Sequence, residues 1–419
     1  MSRPAWSRPA CSSRRRSAAS ASLPRWGCRA SAASSLRPLP GCLLGSVADR
    51  FGRRQVFIVS LLWYSLANLV LAAQQNGFGI DLWRFISGIG LGIELVTIDT
   101  YIAELIPARD RGRAFALSSF ITFLAVPLVA LLAWLLVPQQ PFGIDGWRVV
   151  VLIGSAGALA AYFFRRAIPE SPRWLARHDR YDEADRIVTQ LEAIVIQETG
   201  APLPAPHGSA ADESGTGSFG EIWSPGYRGR TAMLSVFHFF QTIGFYGFAN
   251  WVPTLLIAKG IVVTRSLEWS FIIAVVNPLG PLLAMLVADR FERKWQICAA
   301  ATGIGVFGLL FAAADQPALL ILLGMLVTLS NNWMSFAFHN YQAELFPTRI
   351  RARAVGFVYG WSRLSGAFAG LAIDYLLHSS GVVSVFLFIG FAMVMVVLSI
   401  GGFGPRTRHR ALEEIAARG

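Results

Sequence analysis

The chain has 419 residues, of which 54% are hydrophobic and 15% charged, with a mean hydropathy of +0.49. Soluble domains hold about a quarter charged residues and less than half apolar ones, so an ordinary water-soluble globule is excluded. The net charge of +12 does not read as a nucleic-acid footprint: eight arginines fall in residues 1–40, a stretch without Asp or Glu, and are not spread over a polar fold.

Residues 1–40 are rich in Arg, Ser, Ala and Pro and contain no apolar span. Three readings stay open for them: a wrong start or shifted frame, an Arg- and Ser-rich targeting segment, or the leader of a ten-helix protein. From there on, apolar windows of about 20 residues, the length that crosses a bilayer, recur at 55–73, 82–106, 114–137, 147–164, 231–258, 269–288, 295–314, 319–343, 352–377 and 382–403. They predict an all-α membrane protein, since strands of this kind do not alternate as barrel strands do. One set of loops carries Arg50, Arg53, Arg54, Arg109, Arg111, Arg113, Arg290, Arg293, Lys294, Arg349, Arg351 and Arg353; the opposite set carries Lys259 and Arg265. The positive-inside rule places the first set in the cytoplasm.

The expected organisation is an incomplete N-terminal transmembrane half over 41–164, a cytoplasmic central loop over 165–230, a six-span half over 231–403 and a cytoplasmic tail over 404–419. Within the loop, Ala184, Ile187, Val188, Leu191, Ile194 and Val195 recur at helical spacing and predict a short amphipathic helix over 181–195. Residues 199–220 are rich in Pro, Gly, Ser and Ala and read as a linker. Cys11, Cys28, Cys42 and Cys298 form no CxxC pair, so no metal, cofactor or disulfide framework is indicated. No P-loop, HExxH, Rossmann glycine fingerprint or GxSxG occurs, so no enzymatic activity is expected.

The chain also repeats itself. Residues 48–54 (ADRFGRR) recur at 288–294 (ADRFERK), and residues 103–114 (AELIPARDRGRA) recur at 343–354 (AELFPTRIRARA), both at an offset of 240. A shared offset points to duplication, and duplicated membrane halves are a transporter's architecture with the substrate site between them.

The stretch from Gly45 to Arg54 resembles the G-x-x-x-D-R-x-G-R-R loop between helices 2 and 3 of the major facilitator superfamily. Arg84 with Gly88, Gly90 and Gly92 is similar to that superfamily's R-x-x-x-G-x-G-x-G stretch in helix 4, and Pro169 to Leu175 to the P-E-S-P-R-W-L signature that follows helix 6 in sugar-porter-like members. The resemblance covers about residues 41–405. It implies the superfamily fold, two pseudo-symmetric helical halves, with helix 1 and most of helix 2 not visible, so the ten spans count as 3 to 12. It also implies a secondary active transporter, multi-pass in the inner (plasma) membrane, monomeric, working between bilayer, small-molecule substrate and protons.

The resemblance gives the cytoplasmic charges a gating role: Asp49, Arg50, Arg53, Arg54, Glu104, Arg111, Arg113, Glu170, Arg173, Asp289, Arg290, Glu344 and Arg351 would lock and release the halves. Topology anchoring alone is the plainer reading. Ionisable groups at membrane depth are functional candidates by default. Arg84, Glu94, Asp99 and His339 are the candidate proton-coupling residues, Asp99 and His339 being related by the 240 offset. Arg363, Gln241, Asn331, Asn332, Trp333, Tyr341 and His238 are the candidate substrate residues. Arg363 leads them, because an arginine keeps its charge and grips a carboxylate through two parallel hydrogen bonds; it resembles the helix 11 arginine of organic-anion and aromatic-acid carriers. Pairing of Arg363 with another helix is the competing reading.

Sugar porters carry G-P-x-x-W in helix 10 and Q-Q-x-x-G-x-N in helix 7, whereas this chain reads Asn331-Asn332-Trp333-Met334-Ser335 and keeps only Gln241 and Gly244. The expected substrate is therefore a small organic acid or related metabolite, anionic in the sense set by Arg363, taken up with protons. A sugar or polyol symporter or facilitator is the alternative within the class, and a non-transporting sensor on the same fold the alternative outside it.

Overall fold

The computed structural model describes residues 52–105, 111–166, 168–200, 219–287, 291–346 and 348–407, and every regular element among them is helical. In the first half α1 is Arg53–Ala73, α2 Gly77–Leu105, α3 Arg111–Leu136 and α4 Gly146–Arg166. The cytoplasmic segment folds into α5, Pro172–Arg177, and α6, Tyr181–Thr199. The second half holds α7 (Arg228–Ala249), α8 (Val252–Ala258), α9 (Val263–Ala274), α10 (Leu279–Val287), α11 (Arg293–Ala313), α12 (Pro317–Glu344) and α13 (Thr348–Phe403).

Local chemistry sets these boundaries. Asn76 Oδ1 accepts the Gly79 amide at 2.6 Å and so opens α2. Ser171 caps α5 by accepting the Trp174 amide, with Pro172 behind it, and Gly200 closes α6 at φ 64°. α13 is two helical limbs, 348–380 and 382–403, that meet at Gly381, where φ 80° and ψ −172° allow the chain to turn back on itself.

The predicted spans all coincide with helices, and two of them are broken. The span over 231–258 is interrupted at Asn250 and Trp251, just ahead of Pro253, and the span over 269–288 turns at 275–278 around Pro278. Each proline lacks an amide to donate and biases the residue before it away from helix. The cytoplasmic amphipathic helix runs four residues beyond its predicted end, to Thr199.

The 240-residue duplication is visible in three dimensions. α1 and α11 start 240 residues apart and are both 21 residues long. In the first half α1 packs on α2 and α4; in the second, α11 packs on α12 and α13. A continuous apolar core runs through the second half from Ile222 to Ile400, with Phe237, Phe248, Phe311 and Phe386 fully buried. The first half buries less: α3 exposes Leu117, Ile121, Leu124, Leu128 and Leu135. The halves meet where α3 lies against α9 and α10, and Trp134 stacks on Phe271 with ring centroids 5.8 Å apart.

Candidate functional site: an arginine pocket and the cytoplasmic ties

A pocket of about 130 Å³ opens between α7, α12 and α13, lined by Gln241, Thr242, Phe245, Tyr246, Ser335, Phe338, His339, Tyr359, Ser362 and Arg363. Helical spacing assembles it. Gln241, Thr242, Phe245 and Tyr246 fall on one face of α7, Ser335, Phe338 and His339 on one face of α12, and Tyr359, Ser362 and Arg363 on one face of α13. The Arg363 guanidinium donates to the Tyr246 hydroxyl at 3.0 Å and to the Tyr359 hydroxyl at 2.7 Å, and lies 4.6 Å from the Tyr359 ring centroid. Two of its partners are thus neutral phenols, one from α7 and one from its own helix. Asp374, eleven residues on, pairs instead with His378 at 3.1 Å.

His339 stacks on Phe338, centroids 4.1 Å apart, and its Nδ1 is 2.7 Å from the Ser335 carbonyl oxygen. A carbonyl only accepts, so Nδ1 carries the hydrogen and Nε2 is the atom left to take a proton. The pocket therefore joins a fixed cation, two phenols, a titratable imidazole and aromatic walls. That set can orient a small planar anion.

The other candidate substrate residues lie elsewhere. His238 is fully buried between α7 and α12, with Nε2 2.9 Å from Gln342 Oε1 and the edges of Phe237, Phe338 and Tyr359 around it. Asn331 is 3% exposed and neither of its amide atoms has a hydrogen-bond partner. Asn332 donates to Asn277 Oδ1 at 3.0 Å in the turn between α9 and α10. Trp333 points at α11, where its Nε1 donates to Gln296 Oε1 at 3.2 Å. Tyr341 is fully buried and donates its hydroxyl to the Pro405 carbonyl at 2.8 Å.

Of the candidate proton residues with described side chains, His339 alone lines the pocket. Glu94 on α2 forms an ion pair at 2.5 Å with Arg165 of α4, both side chains 13% exposed; the same guanidinium donates to the Phe57 carbonyl at 3.1 Å and covers the Phe57 ring at 3.6 Å. Arg84 sits in α2, one turn after Asp81. The side chain of Asp99 lies outside the described residues.

The cytoplasmic surface is tied to the spans by hydrogen bonds that repeat between halves. Glu170 accepts the backbone amides of Arg53 (2.9 Å), Arg54 (3.2 Å) and Ser171 (2.9 Å), closing the amino end of α1 with a carboxylate from 117 residues away. Open amides and the positive end of the helix dipole favour an anion there. Tyr101 donates to the Pro169 carbonyl at 2.6 Å, and Tyr341, 240 residues later, does the same to Pro405. In the second half the polarity of the helix-end tie is inverted: Glu292, at the position equivalent to Gly52, accepts the Thr407 amide at 2.9 Å. Lys294 donates to the Gly404 carbonyl at 2.8 Å, and Arg293 pairs with Glu344. Among the gating candidates, Asp49, Arg50, Asp289 and Arg290 lie outside the described residues, as do the side chains of Glu104, Arg111, Arg113, Arg173 and Arg351.

Gly52 gives this arrangement a sharp test. Its φ of 94° with ψ 150° belongs to a region held almost only by glycine, and a Cβ there would stand 2.6 Å from Glu170 Oε2. Gly52→Ala is expected to cost about 1–3 kcal/mol, read as a lowered thermal midpoint of the detergent-solubilised protein. An unchanged midpoint contradicts the tie.

Sequence reasoning did not single out Arg165, Arg293, Tyr246, Tyr359 or Ser335. Tyr359 stands one turn before Arg363 and shares its face, a usable signal; Arg165 falls in the predicted central loop, whereas α4 continues through it.

A family model described as sugar (and other) transporter matches residues 4–418. A putative metabolite transport protein of Bacillus subtilis is 33% identical over 389 residues, covering 91% of this chain and 84% of its own length. The niacin transporter of Acinetobacter baylyi is 29% identical over 375 residues, covering 88% of this chain and 83% of its own. Among solved structures, the inward open xylose transporter of Escherichia coli superposes with a TM-score of 0.72 at 23% identity, covering 94% of this chain and 88% of that one. With the duplicated helical halves and these matches in agreement, the chain belongs to the sugar (and other) transporter family, has the major facilitator superfamily fold and is a multi-pass transporter of the plasma membrane.

Proposed function

We propose that this protein takes up a small, planar carboxylate together with protons by alternating access. The observation that carries the reading is Arg363, a fixed cation at membrane depth that lines the pocket and donates to two phenols there. A substrate carboxylate can accept two parallel hydrogen bonds from the guanidinium, and Phe338, Tyr359 and Phe245 supply flat apolar walls. The volume of about 130 Å³ lies well below the roughly 300 Å³ where drug-sized sites begin, which suits a single-ring metabolite. The niacin transporter among the relatives supports this reading, since niacin is itself a carboxylate on an aromatic ring.

Proton coupling is supported by the arabinose-proton symporter of Bacillus subtilis and the D-xylose-proton symporter of Escherichia coli among the relatives. We assign the proton to His339 Nε2, beside Arg363; Asp99, its counterpart by the repeat, is a second candidate. Glu94 is committed to Arg165 and serves better as a structural charge. The Glu170 ties join the first half to the cytoplasmic segment and the Arg293–Glu344 pair joins two helices of the second half, so they serve to hold each half together as the halves rock. A sugar or polyol substrate is the second reading; Gln241 in the pocket and the family description favour it.

Ligand-induced thermal stabilisation of the purified protein separates the two. A ligand at a hundred times its Kd stabilises by about 2.7 kcal/mol. Nicotinate and benzoate are expected to raise the midpoint of the wild-type protein and not of Arg363→Ala. Stabilisation by xylose or inositol with none by either carboxylate would overturn the assignment.

A further inference from the structure

On the reading that a carboxylate sits at Arg363, we infer that the same pocket reads a second atom of the substrate, a hydrogen-bond acceptor set in its ring, and so prefers a pyridine-type carboxylate to a plain benzene carboxylate. Most polar atoms lining the pocket are spent on the protein itself. The Thr242 hydroxyl shares its one hydrogen between the His238 carbonyl at 2.9 Å and Gln241 Oε1 at 3.3 Å. The Ser362 hydroxyl donates to the Tyr359 carbonyl at 2.7 Å, and the Ser335 carbonyl is taken by His339 Nδ1. Two groups stay open. Gln241 is 5% exposed, and with Oε1 turned to Thr242 its Nε2 has no partner among the described residues. Ser335 lines the pocket from α12, and its hydroxyl makes no hydrogen bond among the described residues.

Both open groups have hydrogens to give, since an amide nitrogen only donates and a hydroxyl can. A donor buried by a ligand that brings no acceptor loses its water and gains nothing in return. Their places set them apart from the carboxylate end. Tyr246, which holds the guanidinium, comes five residues after Gln241 on α7, a rise of about 7.5 Å. Ser335 comes one turn, about 6 Å, before His339 on α12. Phe245 and Phe338 fall between them in the chain and line the same pocket. A ring laid on these walls with its carboxylate at Arg363 can therefore present its far edge to Gln241 and Ser335. A carbon–hydrogen edge there leaves both donors unpaired. A ring nitrogen keeps its lone pair in the ring plane and accepts from either.

The test compares nicotinate with benzoate, which differ by the ring nitrogen alone, through the Kd each gives when it is titrated against the thermal midpoint of the detergent-solubilised full chain. Nicotinate is expected to bind wild type about three- to tenfold tighter, the worth of one net hydrogen bond. Ser335→Ala and Gln241→Leu are each expected to narrow that ratio, and the double variant to bring it within about twofold of one. Ser335→Thr keeps the hydroxyl and is expected to keep the ratio. If Gln241→Leu does not fold, the contrast of Ser335→Ala with Ser335→Thr decides alone. Equal affinity for the two acids in wild type, with both lost in Arg363→Ala, overturns the second contact and leaves the carboxylate site standing. A ratio that persists in the double variant, or in Ser335→Ala where that variant decides, overturns the assignment to these two residues. Stabilisation by neither acid overturns the carboxylate reading and this inference together.

Discussion

Arg363→Ala is expected to raise the KM for carboxylate uptake, or to abolish uptake, by the largest margin of any pocket substitution. Removing one partner of a desolvated charge pair costs about 2–5 kcal/mol, or about 30-fold and upward in affinity at 1.4 kcal/mol per decade. The effect is specific to charge and shape. Arg363→Lys keeps the charge but loses the planar fork that meets both carboxylate oxygens, so it is expected to fall between wild type and alanine. Tyr246→Phe and Tyr359→Phe leave the guanidinium in place and remove one neutral hydrogen bond each, so about tenfold or less is expected from a net 0.5–1.5 kcal/mol. Uptake of a labelled carboxylate into proteoliposomes measures the series. Carboxylate uptake unaffected by Arg363→Ala contradicts the site.

The second large effect is on the folded state. Arg165 and Glu94 are each 13% exposed and join α4 to α2, while Arg165 also holds the Phe57 carbonyl of α1. Removing one member leaves a buried charge without its counter-charge, at a cost of about 3–5 kcal/mol. Arg165→Met and Glu94→Leu are each expected to lower the thermal midpoint strongly and to reduce the amount of protein recovered from membranes. The double variant Glu94→Leu/Arg165→Met removes both charges and is expected to recover most of the loss, since apolar replacements of buried pairs are often neutral. A double variant as unstable as the sum of the singles contradicts a pairwise tie.

Much of the architecture can be read before any coordinates, because the bilayer imposes one rule on every span: about 20 apolar residues with all backbone groups paired inside the helix. The loop arginines then orient the spans, and the 240-residue offset pairs the halves. What the windows hide is interruption. Pro253 and Pro278 sit inside apolar runs whose hydropathy does not fall, although each breaks its helix.

The pocket is only partly legible for a geometric reason. Arg363 and His339 stand out as ionisable groups in apolar helices, and Gln241 as a lone amide. Polar neighbours on α12 do not group by being adjacent, since successive residues on a helix point about 100° apart. Asn332 reaches the α9–α10 turn, Trp333 reaches α11 and Tyr341 reaches the tail, while Ser335, Phe338 and His339 face the cavity. Tyr246 escaped notice because an aromatic in a membrane helix reads as packing; only the guanidinium beside it reveals its hydroxyl as a partner. The cytoplasmic ties were legible as charged residues but not as backbone contacts. The Glu170 carboxylate meets amides of α1, and Tyr101 and Tyr341 meet proline carbonyls, and neither kind of partner leaves a mark in a side-chain pattern.

A carboxylate bound at Arg363 is expected to enter together with a proton. This coupling is tested most directly by following pH outside proteoliposomes while a substrate is added at zero membrane potential. Nicotinate or another small aromatic carboxylate is expected to alkalinise the medium through the wild-type protein and not through Arg363→Ala. Alkalinisation evoked by xylose or inositol, with none from any carboxylate, would contradict it.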